Sequence, residues 1–308
     1  MYSLWLNLMA TLVCIVLILH IVYDSDYYTN TECLTNNDII DDNTFQLYVG
    51  DMVYDDFYVD VYDELVYNEH KNDFEIQSIM KIANIDKTSI ILDIGCGTGH
   101  HAAILSTYAN HVTGLDRSKS MIKKCNSTYS KRFYPNLTFK EGDALSTLLF
   151  QPNSFSHICC FYFTIYYIKD KAQFFSNCYN WLHHRNQKGY LIVHIVDRTN
   201  FDPVVPPSSP FFYVNPQTFA KDRITKSAVV FNDFKYKAEF LQDRDESTFI
   251  EKFENKKGKV FRKNEHTFYM ETEEKIVNLA KEEGFIVESK IDLLKASYEY
   301  QYLYVFST

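Results

Sequence analysis

The chain has 308 residues, 46% of them apolar, and a formal net charge of −9. That length allows one large domain, or one domain with appendages, and supports a sizeable core. The charge excludes the basic footprint of a protein that grips phosphate backbones, so nucleic acid is disfavoured as substrate or partner.

Leu4 to Tyr23 is an uncharged run of about 20 residues, the length a helix needs to cross the hydrocarbon of a bilayer. It lacks a basic lead-in and a small-residue cleavage site, so residues 1–23 read as a transmembrane anchor and not as a signal peptide. Lys and Arg are absent from both flanks, and the positive-inside rule leaves the orientation open. Residues 24–50 are acidic and rich in Asn and Thr, as in a tether. Across residues 24–73, fourteen Asp and Glu face the single Lys71.

From Met52 the pattern becomes helical. Tyr54, Tyr58 and Tyr62 recur every four residues, with Phe57, Val61 and Leu65 in adjacent rows. Such a tyrosine face either packs on the domain or covers its active site. A second helix is predicted over 74–83. The run Ile90-Ile91-Leu92-Asp93-Ile94 then reads as a buried strand, followed by Gly95-Cys96-Gly97-Thr98-Gly99 and a helix. Alternate glycines admit positive φ and a close-lying ligand, and a helix opening behind them offers free N–H groups. Strands and helices alternate from there: strands at 111–115, 137–140, 155–163 and 189–196, helices at 104–109, 118–125 and 171–183. This implies an α/β fold with a parallel sheet covered by helices on both faces.

The alternation stops at Asp197. Pro203, Pro206, Pro207, Pro210 and Pro216 mark a loop that is neither helix nor central strand. Antiparallel strands are predicted over 229–241, 248–253 and 259–269. A helix at 272–282 ends before Gly284, and strands at 285–292 and 298–306 close the chain. The organisation is an anchor (1–23), a tether (24–50) and one domain (51–308), the last carrying a β-rich insertion at 198–270. The seven cysteines show no Cys-x-x-Cys pair and no zinc spacing, which points to reduced thiols and no metal site. His183-His184 has no ligand partners in sequence.

Three features stand behind the glycine stretch. Asp116 ends the next strand about 20 residues on, where a carboxylate can accept both hydroxyls of a ribose. Gly142-Asp143-Ala144 ends the one after. The third glycine comes one residue early for a dinucleotide fingerprint, and His100 stands where that fingerprint needs glycine. In this order and spacing, Leu92 to Gly99, Val112 to Ser118 with Met121, and Gly142-Asp143-Ala144 resemble the first three motifs of the class I S-adenosylmethionine-dependent methyltransferases. Gly284-Phe285 resembles the pair that enters that family's last hairpin. The resemblance runs from about Met52 to the C-terminus. It departs at His157, where the family usually has Asp.

The resemblance implies a Rossmann-like seven-stranded, mostly parallel sheet with its last strand antiparallel, and S-adenosyl-L-methionine as cofactor. It implies that the loop Gly95, Cys96, Gly97 and Gly99 cradles the methionine end, with Asp93 near its ammonium. Asp116, followed by Arg117, takes the ribose, and Asp143 with Ala144 takes the adenine. A sulfonium methyl is already activated, so the protein mainly orients the acceptor and excludes water. A general base is needed only for an acceptor that arrives protonated. Candidates at strand ends are His194, Asp197 and Tyr166, then Tyr167, with His100 or His101 behind the loop; packing is the competing account of each. Tyr58, Tyr62, Tyr166, Tyr167 and Phe212 are expected on the substrate side, Phe212 in a lid formed by the proline loop.

An aromatic, acid-flanked pocket suits an apolar or cationic acceptor: a small molecule such as an amine, a lipid head group, or a membrane protein. The cofactor is made in the cytosol, so a single-pass protein would carry its domain on that side. The alternatives are a nicotinamide-dependent oxidoreductase, disfavoured by the glycine spacing, and a non-catalytic scaffold that retains the cofactor.

Overall fold

The structure is a computed structural model that describes residues 45–183, 188–204 and 223–308. The expected anchor, most of the expected tether and Phe212 lie outside the described residues. No helix among the described residues is long and apolar enough to cross a membrane.

Apolar runs and capped helices build the main layer. β1 (Gln46–Val49) leads to α1 (Asp56–Val66) and α2 (Glu69–Ile82), capped by the side chains of Asp55 and Asn68. There follow β2 (Ile90–Ile94), α3 (His100–Ser106), β3 (His111–Asp116), α4 (Lys119–Thr128), β4 (Leu137–Glu141) and β5 (His157–Cys160). Next come α5 (Thr164–Tyr167), α6 (Lys171–Trp181) and β6 (Tyr190–Val196). The insertion contributes β7 (Lys226–Val230), β8 (Lys235–Asp243), β9 (Glu246–Glu254) and β10 (Val260–Tyr269), and the chain ends in α7 (Glu273–Glu282), β11 (Ile286–Asp292) and β12 (Gln301–Ser307).

Seven strands form one sheet in the order β11-β12-β6-β5-β2-β3-β4. The pairs among β6, β5, β2, β3 and β4 are parallel, while β12 runs antiparallel to both β6 and β11. Strand alternation divides the core between the two faces. Leu92, Ile158, Leu191, Val193 and Phe306 join the cluster under α1, α6 and α7. Ile91, Cys159, Ile192, Leu303 and Val305 join the cluster under α2 and α3. His157 ties this second layer to the sheet, one ring nitrogen lying 2.7 Å from the Ala83 carbonyl at the end of α2.

The second sheet has the order β1-β10-β9-β8-β7, antiparallel except where β1 runs alongside β10. Its buried face is unusual. On β10 the buried residues are Val260, Arg262, Asn264, His266 and Phe268, while Phe261 faces out. Arg262 Nη1 donates to both carboxylate oxygens of Asp55 (2.9 and 2.7 Å), and Nη2 donates to the Val53 carbonyl at 2.7 Å. Asp55 is the N-cap of α1 and accepts the Tyr58 N–H. One guanidinium therefore fixes where α1 enters between the two sheets.

Four expectations need correction. Residues 46–49 form β1 inside the expected tether, because β10 offers them a parallel edge. The first helix starts at Asp56, not Met52, because the Asp55 side chain caps it there. The strand expected over 155–163 keeps only His157–Cys160; Tyr162 takes φ +52, which a β-strand does not accommodate. The strand expected over 229–241 is a hairpin, closed by the Phe231 N–H donating to the Phe234 carbonyl at 2.8 Å. Arg262→Met is predicted to cost about 2–3 kcal/mol, less than the roughly 3–5 of a fully buried pair, because Asp55 keeps contact with water. Urea unfolding checks the magnitude, and faster proteolysis within 45–66 checks the location.

Candidate active site

A cleft of about 860 Å³ opens where the carboxyl ends of β2, β3 and β4 meet the buried face of the second sheet, with α1 as a side wall. One end is lined by Gly95, Gly97, Asp116, Arg117, Asp143 and Ala144. The other is lined by Tyr54, Tyr58, Tyr62, Tyr167, Tyr236 and Phe268, together with Glu251 and His266.

The glycine loop is held by its own amides. The Gly95 and Cys96 N–H groups both donate to the Leu115 carbonyl, at 2.8 and 3.0 Å, and Gly99 donates to Cys96 at 2.9 Å. Gly97 donates to Asp116 Oδ2 at 2.9 Å, and Ser118 donates to Oδ1 at 2.8 Å. The loop thus meets a ligand with Cα surfaces and not with the free amides expected from its sequence. Gly95 and Gly97 have φ of +69° and +54°. A Cβ at Gly95 would collide with the Thr164 side chain, whereas at Gly97 it would project into the cleft, 3.6 Å from Tyr62. Burial pushes the Asp116 carboxyl up to about 6, partly offset by the Ser118 and Gly97 amides. Arg117 bonds to Asp51 and lies 3.9 Å from Asp143.

Behind the loop, on the α2 side of the sheet, is a buried ionic cluster. Lys71 Nζ meets Glu75 Oε1 at 2.7 Å, and His101 Nε2 meets Glu75 Oε2 at 2.8 Å. Burial raises the Glu75 carboxyl, but Lys71 and His101 outweigh it and bring it down to about 2. Asp93 shares this face with Ile91, is 2% exposed, and has an Oδ2 without a hydrogen-bond partner. Burial, then the charges of Asp116 and Glu75, push its carboxyl up to about 8.

At the other end, Glu251 is 1% exposed and fully engaged. Oε1 accepts from Tyr58 (2.9 Å) and Tyr236 (2.7 Å), and Oε2 lies 3.0 Å from Asn264 Nδ2 and 2.7 Å from His266 Nε2. Tyr167 Oη lies 2.9 Å from His266 Nδ1 and accepts from Tyr54 at 2.8 Å. Burial raises the Glu251 carboxyl, but His266 and the hydrogen bonds of His266, Asn264 and Tyr236 hold it below the ordinary range.

Of the residues expected at the site, Gly95, Gly97, Asp116, Arg117, Asp143, Ala144, Tyr58, Tyr62 and Tyr167 line the cleft. Asp93, Cys96 and Gly99 stand behind its wall: Cys96 packs with Ile122 and Cys125, and a Cβ at Gly99 would meet Tyr129 and Phe139. The three strand-end base candidates do not line it either. His194 is fully buried, its Nδ1 donating to the Tyr162 carbonyl at 2.5 Å; burial and Lys71 push its imidazole down to about 4. Tyr166 is fully buried with its hydroxyl accepting the Val196 N–H at 2.8 Å, and Asp197 caps the turn at Thr199 and Asn200. His100 pairs with Asp63 at 3.1 Å and stacks on Tyr67, while His101 is held by Glu75. Glu251, His266 and Tyr236 were missed. The signal of the first two was period-two spacing of polar residues on β9 and β10, which in sequence imitates a solvent face.

Residues 91–185 match the family model described as a methyltransferase domain. Over 100 residues the chain is 33% identical to an uncharacterized methyltransferase, YcgJ, of Bacillus subtilis, a match covering 32% of this chain and 38% of that protein. The chain thus spans about two-fifths of the length of this curated relative. An S-adenosylmethionine-dependent methyltransferase from Clostridium acetobutylicum superposes with a TM-score of 0.60 at 18% identity, covering 81% of this chain and 97% of that one. The CcbJ methyltransferase of Streptomyces caelestis gives 0.60 at 14%, covering 83% and 98%. S-adenosylmethionine-bound CalS10, an amino pentose methyltransferase from Micromonospora echinaspora, gives 0.57 at 16%, covering 82% and 97%. These likenesses show the fold. It is the fold of S-adenosylmethionine-dependent methyltransferases, and at the Gly97–Asp116 end of the cleft an open backbone surface adjoins a buried carboxylate.

The buried carboxyls give the protein a pH signature. Asp93 and Asp116 have folded values raised from 3.8 to about 8 and about 6, so their contribution to stability is complete below about pH 4 and is lost as pH rises. Glu75, lowered from 4.5 to about 2, contributes above pH 4.5 and loses that contribution toward pH 2. The melting temperature of the ligand-free chain is therefore expected to fall between about pH 4 and 8, with Asp93→Asn removing most of the fall. An undiminished fall in the variant would contradict the assignment to Asp93.

Proposed function

We propose that the protein is an S-adenosylmethionine-dependent methyltransferase whose acceptor is a small molecule held in the aromatic end of the cleft. The observation that carries this is the continuity of two unlike compartments. A glycine-backed end with a carboxylate at each of two neighbouring strand ends opens into a chamber walled by tyrosine and phenylalanine. About 860 Å³ lies toward the upper end of the roughly 300–1,000 Å³ typical of ligand sites, room for cofactor and acceptor together.

When bound, the cofactor supplies an activated sulfonium methyl group. Asp116 would hold the ribose through the lone pairs that the Gly97 and Ser118 amides leave free, and Gly97 leaves the backbone open beside it. Asp143 and Ala144 border the adenine. The tyrosines of α1 cover the acceptor and keep water out. Holding acceptor and donor in line can contribute about 7–11 kcal/mol, most of what such a reaction asks of the protein. The depth of the chamber, where Tyr58, Glu251 and His266 are all 3% exposed or less, favours a small acceptor over a protein chain. A nicotinamide cofactor is disfavoured, because the third-glycine position is His100, whose ring is committed to Asp63 and Tyr67.

Isothermal titration of the full chain with S-adenosylhomocysteine tests the cofactor site. Wild type is expected to bind, and Asp116→Ala to bind at least about tenfold more weakly, as loss of hydrogen bonds to a charged acceptor requires. Undiminished binding by the variant would sink the assignment. Membrane attachment through Leu4 to Tyr23, with the domain on the cytosolic side, belongs to the same reading and rests on sequence. Carbonate extraction of cell membranes checks the attachment, and release of the full chain into the soluble fraction would overturn it.

A further inference from the structure

The Glu251 network has a direction. A carboxylate offers about four lone-pair sites, and all four are taken by Tyr58, Tyr236, Asn264 and His266. Glu251 has no capacity left for a ligand, but it accepts from Nε2 of His266, which places the proton on that nitrogen whenever the ring is neutral. Nδ1 is then the open lone pair, and the Tyr167 hydroxyl donates to it at 2.9 Å. The Tyr54 hydroxyl donates in turn to Tyr167 at 2.8 Å. Both phenols line the cleft, and burial keeps both protonated by raising them well above their ordinary value. The path starts at a cleft-facing phenol oxygen and ends at an imidazole nitrogen whose ring faces a buried carboxylate.

The surroundings select for a cation. The rings of Tyr54, Tyr58, Phe249 and Phe268 lie 5.6–6.3 Å from the imidazole centroid. The charged and titratable groups facing His266 are Glu251 on β9, Tyr54 and Tyr58 beside and on α1, and Tyr167 on α5. Arg262, on the same face of β10, is already paired with Asp55. The chamber therefore combines π-faces with a buried anion, the environment that recognises an alkylammonium.

We propose that the acceptor is an amine that enters as its ammonium ion, and that His266 receives its proton through Tyr54 and Tyr167. This rests on the methyltransferase reading above. The ammonium N–H bond breaks with its electron pair remaining on nitrogen. Its proton passes to a phenol oxygen, each phenol hands its own proton on, and the last arrives at Nδ1 of His266. The products are a neutral amine, with the lone pair a methyl group requires, and an imidazolium facing Glu251. His266 returns its proton to solvent once the product leaves. Glu251 acts through His266 as a positioning residue.

The test uses the full chain loaded with S-adenosylhomocysteine, with benzylamine and benzyl alcohol as probes. Benzylammonium is expected to bind about tenfold more tightly than the alcohol; no binding of the amine, or equal affinity, overturns the amine assignment. In NMR spectra of isotope-labelled histidine, His266 is expected to show the Nε2–H tautomer at rest and an imidazolium signature once benzylamine is added. Tyr167→Phe should keep S-adenosylhomocysteine binding and the resting tautomer but lose the shift. A silent His266 in wild type, or a shift that persists in Tyr167→Phe, overturns the relay. If wild type fails to bind S-adenosylhomocysteine, the methyltransferase reading itself has failed, and that is a distinct result.

Discussion

A carboxylate buried as deeply as Glu251 must be paired, because an isolated charge in a protein interior costs several kcal/mol. That requirement organises the aromatic end of the cleft. The four donors to Glu251 come from α1, β8 and β10, so the charge is satisfied only when the helix and three strands are assembled together. Arg262 repeats the logic one turn of the pleat away, joining β10 to the N-cap of α1 and to the Val53 carbonyl. An apolar interface would tolerate sliding between helix and sheet. A network of directional bonds to one buried charge does not, and this is how a chamber walled by flexible aromatic side chains acquires a fixed shape.

A second buried network, Lys71–Glu75–His101, lies on the opposite face of the main sheet, behind the glycine loop. The two differ in what they leave over. On the α2 side, His194 is neutral and donates to a backbone carbonyl, and Asp93 is held protonated near neutral pH, so that cluster braces the loop without reaching the cleft. On the cleft side, the Tyr54 and Tyr167 phenols line the cavity, Tyr167 lying 2.9 Å from His266 Nδ1. Both networks contain buried histidine and carboxylate; the side of the main sheet on which each is packed decides which one borders the cleft.

The parts of the site legible in sequence were those made of contiguous residues. Ile90 to Gly99 carries strand, turn and helix start within a dozen positions, and Asp116 and Asp143 sit at the ends of the next two strands in the same sheet. Local pattern was enough, because a parallel α/β sheet lines up its strand ends automatically. The tyrosine face of α1 was legible too, by its spacing of four. Its edge was less so: Tyr54 reaches the cleft from the turn before the helix, because Asp55 caps α1 one residue later. His194, Tyr166 and Asp197 were chosen because they stand at or near the end of a parallel strand. Alternation then turned His194 toward the α2 layer, and the hydroxyl of Tyr166 was taken by a backbone amide.

By itself the sequence determined the parallel α/β sheet, the glycine loop at a strand end and the carboxylates beside it, since each follows from periodicity and spacing over short stretches; the seven-strand count followed from the family resemblance, and the structure has it. The aromatic end of the cleft was decided by tertiary structure. Its members come from residue 54 to residue 268, and on β9 and β10 the inward positions are Glu251, Asn264 and His266. In an isolated strand, polar side chains at alternate positions signal a face turned to water. Here the same alternation faces inward, because those polar groups satisfy one another across β8, β9 and β10 and take a further donor, Tyr58, from a helix about 200 residues away, a set of partners no local rule can see.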